Sequence, residues 1–226
     1  MATDGWLGVQ DSRPVEELRR MCRSCVEQAG VDGAGLAVFA ADGTPETVHA
    51  TDALAARVED LQFTTGEGPC IEAAHSGAPV LIPDTGATGA VTRWPAFGRE
   101  LVGAGVGAIF AFPIRVGTLS LGCLDLHRRS PGPMSPAHVA IALRAQDQAA
   151  ELVLTLTKNG LAGVAPSTTY RMVVHQAAGM VMMQLNVSVA EALVRLRATA
   201  YAEGRSINAV AADVVSRRRR MVEEDS

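Results

Sequence analysis

Residues 107–127 have the sequence GAIFAFPIRVGTLSLGCLDLH, in which two apolar runs flank a short connection. The runs cover residues 107–116 and 119–127, and Gly117-Thr118 separates them. A connection of two residues joins antiparallel neighbours, because parallel strands need a much longer crossover. The sequence therefore predicts a hairpin of two long strands, which commits this part of the chain to an antiparallel sheet.

Shorter elements surround this hairpin. Apolar residues recur at helical spacing between Leu18 and Ala29, and Ser135 is a good N-cap for a helix that runs to about residue 158. Between them the pattern predicts strands at 35–40, 47–50 and 80–83, helices at 52–61, from Pro69 and at 94–101, and a flexible loop at 85–91. This order predicts an α+β fold, with helices packed against a largely antiparallel sheet.

The pattern changes after residue 158. Residues 159–166 are rich in glycine and end in proline, which predicts a linker between a front domain (residues 13–158) and a tail (residues 167–222). No strand pattern follows the linker. Apolar spacing predicts a first helix to Leu185, a second that begins at the capping box Ser188 to Glu191, and a third that is capped by Ser206 and continues into the arginine run at 217–220. The tail is predicted to be a small all-α unit of three helices.

The net charge of −4 is unevenly distributed. Residues 166–226 carry +2, which leaves −6 for the rest of the chain. Without the acidic residues 223–225 the tail balance rises to +5. A basic tail behind an acidic front domain suits a polyanionic partner.

Several tail residues are candidates for contacts with that partner. Arginine can bind a phosphate and tyrosine can stack on an unpaired base, the two operations that recognition of single-stranded RNA requires. The candidates are Arg171, His175, Gln176 and Gly179 on the first helix, with the first three at its exposed edge; Arg195, Arg197, Tyr201 and Arg205 on or after the second; and Arg217 and Arg218 in the terminal arginine run. Gly179 in mid-helix costs about 1 kcal/mol relative to alanine, which suggests close packing or contact there.

The same residues allow other interpretations. Arg195 and Arg197 would also suit a solvated helix face, where Glu191 is spaced to pair with Arg195. Apolar residues including Met180, Met182 and Met183 surround much of the first helix and would suit a dimerisation bundle. A DNA-reading helix is a third alternative, although only Asn208 at the start of the last helix could contact a base edge.

The tail resembles an ANTAR domain. The resemblance rests on VHQAAGMVM at residues 174–182, on Glu191-Ala192-Leu193 with the following Leu196, Arg197 and Ala200, and on Ile207 with the apolar residues up to Val215. It implies a three-helix RNA-binding unit that recognises paired hairpins in nascent transcripts, prevents terminator formation and is commonly activated by dimerisation. Ala178 departs from the family, which often has lysine there, so Arg171 or the terminal arginines would have to compensate for a lost phosphate contact.

The front domain resembles a GAF domain of the kind found ahead of ANTAR domains in actinobacteria. The resemblance rests on Thr65-Gly66-Glu67-Gly68-Pro69-Cys70 and on Arg93-Trp94-Pro95. It implies a sensory domain that takes a small-molecule ligand in some members, and whose first and last helices pack together and support a homodimer. Cyclic nucleotides, haem and bilins are ligands of the family, and nothing in this sequence selects one of them or another cofactor.

The loop before Cys70 is the candidate ligand site. The backbone N–H groups around Gly66, Glu67, Gly68 and Cys70 open a helix and could bind an anion, although a tight structural loop would look the same. Cys70 could be a reactive thiol or a buried inert one. Cys22 and Cys25 lie within a helical pattern, which favours packing over a metal site.

No nucleophile elbow, P-loop or His-Glu-x-x-His motif is present, so the sequence predicts no enzyme. The chain also lacks a signal-peptide pattern and any run of about 18 apolar residues, which predicts a cytoplasmic protein with free thiols and no membrane partner. We therefore expect a homodimeric RNA-binding regulator of transcription antitermination whose partners are RNA hairpins and, in the front domain, a small-molecule ligand.

Overall fold

The computed structural model describes residues 13–40, 43–158 and 169–221. The predicted linker, residues 159–166, lies outside the described residues. The front domain contains the helices and strands α1 (Arg13–Ala29), β1 (Gly33–Phe39), β2 (Pro45–Ala50), α2 (Ala53–Thr65), α3 (Pro69–Ser76), β3 (Val80–Ile82), α4 (Thr88–Arg93), α5 (Pro95–Gly103), β4 (Ala108–Val116), β5 (Leu119–Arg128) and α6 (Pro136–Lys158). The tail contains α7 (Thr169–Leu185), α8 (Val189–Ala202) and α9 (Ile207–Val215).

The five strands form one antiparallel sheet in the order β2-β1-β5-β4-β3. The predicted hairpin is confirmed, because β4 pairs with β5 from Ala108 opposite Arg128 to Val116 opposite Leu119. Both strands are buried along most of their length, since helices cover both faces of the sheet. The α+β fold expected from the sequence is therefore observed.

One face of the sheet packs against α1 and α6. Leu18 and Cys22 of α1 share a core with Phe110, Leu124 and Val153. The two helices come from opposite ends of the front-domain sequence and pack against each other, as the resemblance implied. The opposite face carries α2, α3 and α5, and its core joins Val58, Cys70 and Phe97 to the sheet.

The predicted loop at 85–91 is wrong for its second half, which forms α4. Asp84 explains the difference, because its Oδ1 atom accepts the backbone N–H groups of Gly86 at 2.9 Å and Ala87 at 3.2 Å. These two bonds turn the chain directly into the helix, and the apolar Ala90 and Trp94 are then buried. The glycines at 86 and 89 led to the prediction of a loop instead of a helix.

The tail forms the expected three-helix unit. Ser188 caps α8 by accepting the N–H of Glu191 at 3.2 Å, and Ser206 caps α9 by accepting the N–H of Ala209 at 3.2 Å. Val174 and Val181 of α7 meet residues of the other two helices in a buried cluster. The last helix ends at Val215, before the arginine run into which it was predicted to continue, and Arg217 takes a positive φ of 59°.

Among the described residues, no single helix is long and apolar enough to cross a membrane, and α7 with α8 meets that test only as a pair bent by 105°.

Candidate nucleic-acid interface

The tail packs on the front domain around a single aromatic side chain. Phe63 stands in the last turn of α2, is 2% exposed and belongs to the same buried cluster as the core of the tail. The Cζ atoms of Arg171 and Arg197 lie 4.6 Å and 5.9 Å from its ring centroid, and the His175 ring lies 5.6 Å away. Three predicted RNA-binding residues therefore converge on one phenylalanine of the front domain.

Arg171 is the most completely enclosed of the three. Its side chain is 1% exposed, although the sequence placed it at an exposed edge of the first helix. The Nη2 and Nε atoms donate to Asp60 Oδ1 at 3.0 Å and 3.3 Å, and Nη1 donates to the Pro45 carbonyl at 3.2 Å. The expectation of exposure was wrong because α2 and β2, about 110 residues or more away in sequence, cover this arginine.

His175 and Arg197 complete the contact. His175 Nε2 lies 2.7 Å from Glu46 Oε1, and Arg197 donates from Nη2 at 2.7 Å and from Nε at 3.2 Å to the Phe63 carbonyl. That carbonyl is one of the last four of α2, which have no partner within their helix and carry the negative end of its dipole. Arg197 therefore caps α2 from the other domain. We call Arg171, His175 and Arg197 the tail face.

The remaining candidates of the first two tail helices lie outside this contact. Gln176 is exposed and Tyr201 is 70% exposed, so both are accessible on the surface of the tail. Arg195 pairs with Glu191 at 3.2 Å, as the spacing predicted. A Cβ atom built on Gly179 would meet no described atom within 4 Å, so the expected close packing at this glycine is not seen within the chain.

The arginines beyond α8 form a second cluster. Arg205 contacts Glu203 at 3.1 Å and Asp213 at 2.6 Å, Arg218 contacts Asp213 at 2.8 Å, and Arg219 contacts Glu203. Hydrogen bonds from Arg205 and Arg218 hold the pKa of Asp213 below its usual value. The two acids stay ionised and orient this cluster, while Arg217 and Arg220 remain exposed.

The candidate ligand loop is occupied by side chains of its own domain. Cys70 donates its backbone N–H to Gln62 Oε1 at 2.7 Å, and Glu67 Oε2 accepts the N–H groups of Ala96 at 3.0 Å and Phe97 at 3.3 Å at the start of α5. Gly66 ends α2 with a φ of 68°, and Gly68 precedes α3. A ligand anion at this loop would have to displace Gln62 from the Cys70 N–H, and its binding there stays a prediction.

A buried polar cluster lies beneath that loop. Gln62 Nε2 donates to Asp125 Oδ2 at 2.6 Å, Cys123 Sγ lies 3.3 Å from Asp125 Oδ1, and Glu59 shares a hydrogen bond with Asp125. Burial raises the pKa of Asp125 to about 6 and that of Glu59 well above its usual value. The pair therefore holds a proton to a higher pH than two exposed carboxyl groups would. This cluster was not predicted from the sequence, although Asp125 within an otherwise apolar strand was a signal.

Cys70, Cys123 and Asp125 bring three potential metal ligands within 4.8 Å of one another. A hydrogen bond with Cys123 lowers the pKa of the Cys70 thiol, but burial and the nearby carboxylates outweigh it and raise the pKa to about 12. Burial likewise raises the pKa of Cys123 well above its usual value. Both thiols are therefore protonated and hydrogen-bonded in the metal-free chain, and a cation could bind here only by displacing those protons.

Comparison with known proteins separates the two parts of the chain. Residues 13–153 match the model of the GAF domain, and residues 168–215 match the model of the ANTAR domain. No curated protein sequence matches the chain.

Solved structures similar to this one cover about two thirds of the chain. A domain of a putative two-component sensor histidine kinase from Sinorhizobium meliloti aligns with a TM-score of 0.52 at 15% identity, over 63% of this chain and 91% of that one. A GAF domain/HD domain protein from Geobacter sulfurreducens gives 0.52 at 18% identity, over 66% and 97%. A free methionine-R-sulfoxide reductase from Thermoplasma acidophilum gives 0.50 at 16% identity, over 64% and 94%. At these identities the likeness establishes the fold alone.

Proposed function

Because the chain belongs to the GAF family through its front domain and carries an ANTAR domain as its tail, we propose that it binds paired hairpins in nascent RNA as a homodimer. The two domains make it an RNA-binding regulator of antitermination with a sensory domain. The observation that carries the proposal is the convergence of Arg171, His175 and Arg197 on one face of α7 and α8.

The chemistry of this face suits RNA. Two guanidinium groups and an imidazole surround the space of one aromatic ring, an arrangement that can bind a phosphate and stack on an unpaired base. Tyr201 adds an exposed aromatic ring on the same helix as Arg197. Gln176, Gly179 and Arg195 and the arginines Arg205, Arg217 and Arg218 would extend the contact along the tail, each as a proposed RNA-binding residue.

Exposed apolar side chains support the homodimer. Met172, Met183 and Val194 are all more than half exposed on the tail helices. Burying such side chains against a second copy would remove apolar surface from water. The packed pair of α1 and α6 on the front domain would provide a second contact between copies. A small-molecule ligand would bind near Gly66, Glu67, Gly68 and Cys70, where it would have to displace Gln62 from the Cys70 N–H.

The front domain is proposed to sense rather than catalyse. One similar structure is that of an enzyme, but the same fold supports many functions and activity has to be argued from the site. Here the polar side chains under the candidate loop are buried and hydrogen-bonded to one another, which suits a structural or signalling role.

The test is a binding titration of the full chain at several salt concentrations. The probes are a tandem RNA hairpin, a single hairpin and a palindromic DNA duplex of equal length, each followed by fluorescence anisotropy. We expect the tandem hairpin to bind most tightly, with an affinity that falls as salt rises because phosphate contacts release counterions.

Equal binding of the tandem and single hairpins would contradict recognition of a hairpin pair. Tighter binding of the duplex would favour a DNA-binding regulator, and no binding of any probe would favour a tail that only dimerises.

A further inference from the structure

The front domain presents to the tail face a set of groups that resembles a nucleotide. This set, called the front patch, consists of the Glu46 and Asp60 carboxylates, the Phe63 ring and the carbonyl oxygens of Pro45 and Phe63. We propose that the tail face is one binding surface shared by the front patch and an unpaired RNA nucleotide, so that only one can occupy it at a time. The inference rests on the proposed function and names how that same site is regulated.

The carboxylates stand where phosphate oxygens would bind. Asp60 Oδ1 receives two N–H groups of the Arg171 guanidinium, and Glu46 lies beside His175. Arginine binds carboxylates and phosphates through the same planar set of donors, so an Asp60 carboxylate and an RNA phosphate compete for the same geometry.

The Phe63 ring stands where a base would stack. Arg171 lies over the ring at 4.6 Å, and the His175 ring meets it at an angle of 55°. Guanidinium groups and aromatic side chains are the groups on which single-stranded RNA bases stack, because every base presents a π-face. Phe63 therefore fills the space of a base rather than lying beside it.

The carbonyl oxygens of Pro45 and Phe63 are the remaining groups through which the front patch resembles a nucleotide. Pro45 and Phe63 offer main-chain acceptors to Arg171 and Arg197, as base and sugar oxygens do in an RNA complex. All three nitrogen atoms of the Arg171 guanidinium are engaged and its side chain is 1% exposed. RNA cannot reach Arg171 until the front patch has moved away.

The contact is built to be reversible. Among the described residues, Phe63 is the one front-domain side chain in the buried cluster of the tail. The Asp60 side chain is 41% exposed, so water can replace the arginine at its carboxylate. Helix α2 carries Asp60 and Phe63 together with Glu59 and Gln62 of the buried polar cluster. A ligand that rearranged this cluster would thus act on the helix that holds the front patch.

Charge reversal at Asp60 tests the proposal. Asp60→Arg places a cation opposite Arg171 and should separate the two surfaces without altering any tail residue. The control is Glu100→Arg, which makes the same charge change at an exposed front-domain site whose partner is Arg57. If the front patch occupies the tail face in nine molecules of ten, D60R should bind the tandem hairpin about tenfold more tightly than E100R.

A second readout reports the contact without RNA. Phenylglyoxal modifies accessible arginines, and mass spectrometry identifies which ones react. We expect Arg171 to be protected in the wild-type chain and in E100R, and to react in D60R.

The outcomes separate the two proposals. If all three proteins bind the hairpin equally, or if wild-type Arg171 reacts freely, the shared surface is overturned while RNA binding stands. If no protein binds RNA although Arg171 becomes reactive in D60R, the proposed function fails, and the interface is then only a contact between domains.

Discussion

Individual arginines of the tail differ in how much of their charge is available to a partner. Arg171 is enclosed by Asp60 and a carbonyl, Arg195 pairs with Glu191, and Arg218 pairs with Asp213, while Arg217 is exposed. In the sequence, each of these arginines contributes the same formal positive charge. Surrounding carboxylates reduce the local potential, so the net charge of the tail overstates the attraction that RNA meets first.

Tyr201 gives the clearest prediction at the residue scale, because it is 70% exposed. Replacing it with alanine should remove one stacking platform and weaken binding of the tandem hairpin by about 1–3 kcal/mol, the usual contribution of a stacked base. Fluorescence anisotropy measures the change in affinity. Thr199→Ala, at a partly exposed position on the same helix, is the control and should leave the affinity nearly unchanged.

Thermal unfolding of Tyr201→Ala should resemble that of the wild-type protein. An unchanged affinity in this variant would show that the Tyr201 ring does not contact the hairpin.

At the scale of elements, α2 links the two domains. Its first turn is capped by Asp52, its middle contributes Glu59 and Gln62 to the buried polar cluster, and its last turn carries Phe63 into the tail. Gly66 ends the helix in a left-handed conformation, and Arg197 lies against it. The C-terminal end of α2 thus terminates the helix within the front domain and also contacts the tail.

Gly66→Ala should weaken this contact as well as the helix end. A Cβ atom there would lie 3.1 Å from Arg197 Nη1, and the positive φ adds a strain of about 1–2 kcal/mol for a residue other than glycine. The control is Gly204→Ala, which has a similar φ of 61° and open space around the new atom.

Chemical denaturation should show both variants to be destabilised, with Gly66→Ala the more affected. The RNA affinity should rise only in Gly66→Ala, because the front patch then holds Arg197 less well. Equal behaviour of the two variants would show that Arg197 gains nothing from its place beside Gly66.

At the scale of the whole molecule, the buried acids make stability depend on pH. Burial raises the pKa of Glu59 and Asp125 in the folded chain, so the folded state holds protons that the unfolded state releases once the pH passes about 4 to 4.5. Their contribution to the free energy of unfolding is greatest below that pH and is lost as the pH rises through the folded pKa values.

Glu59→Gln removes one of these acids while keeping the shape of the side chain. We expect the free energy of unfolding of the wild-type protein to fall between pH 5 and pH 8 by more than that of the variant. Denaturation at the two pH values measures this difference, and Glu151→Gln on the exposed face of α6 is the control. A wild-type pH dependence no steeper than that of Glu59→Gln would show that the buried pair does not retain a proton.

Much of the fold could be predicted from local patterns. The hairpin of β4 and β5, the first and last helices of the front domain and the caps at Ser188 and Ser206 all follow from spacing and from the preferences of single residues. Helix α4 was missed because its start depends on the Asp84 side chain, whereas its glycines suggested a loop. The buried polar cluster was not predicted, since Glu59 and Asp125 lie on elements far apart in the sequence.

Sequence patterns alone were enough to predict an acidic α+β domain, a basic three-helix tail and the family of each, whereas the RNA-binding role of the tail side chains stays a prediction. The contact of Arg171, His175 and Arg197 with Phe63, Asp60 and Glu46 of the front domain became visible in the folded chain alone. The difference lies in separation along the sequence, because periodicity and capping act within one helix or strand and therefore leave a local pattern. The contact joins residues more than 100 positions apart, and neither partner carries a local sign of the other.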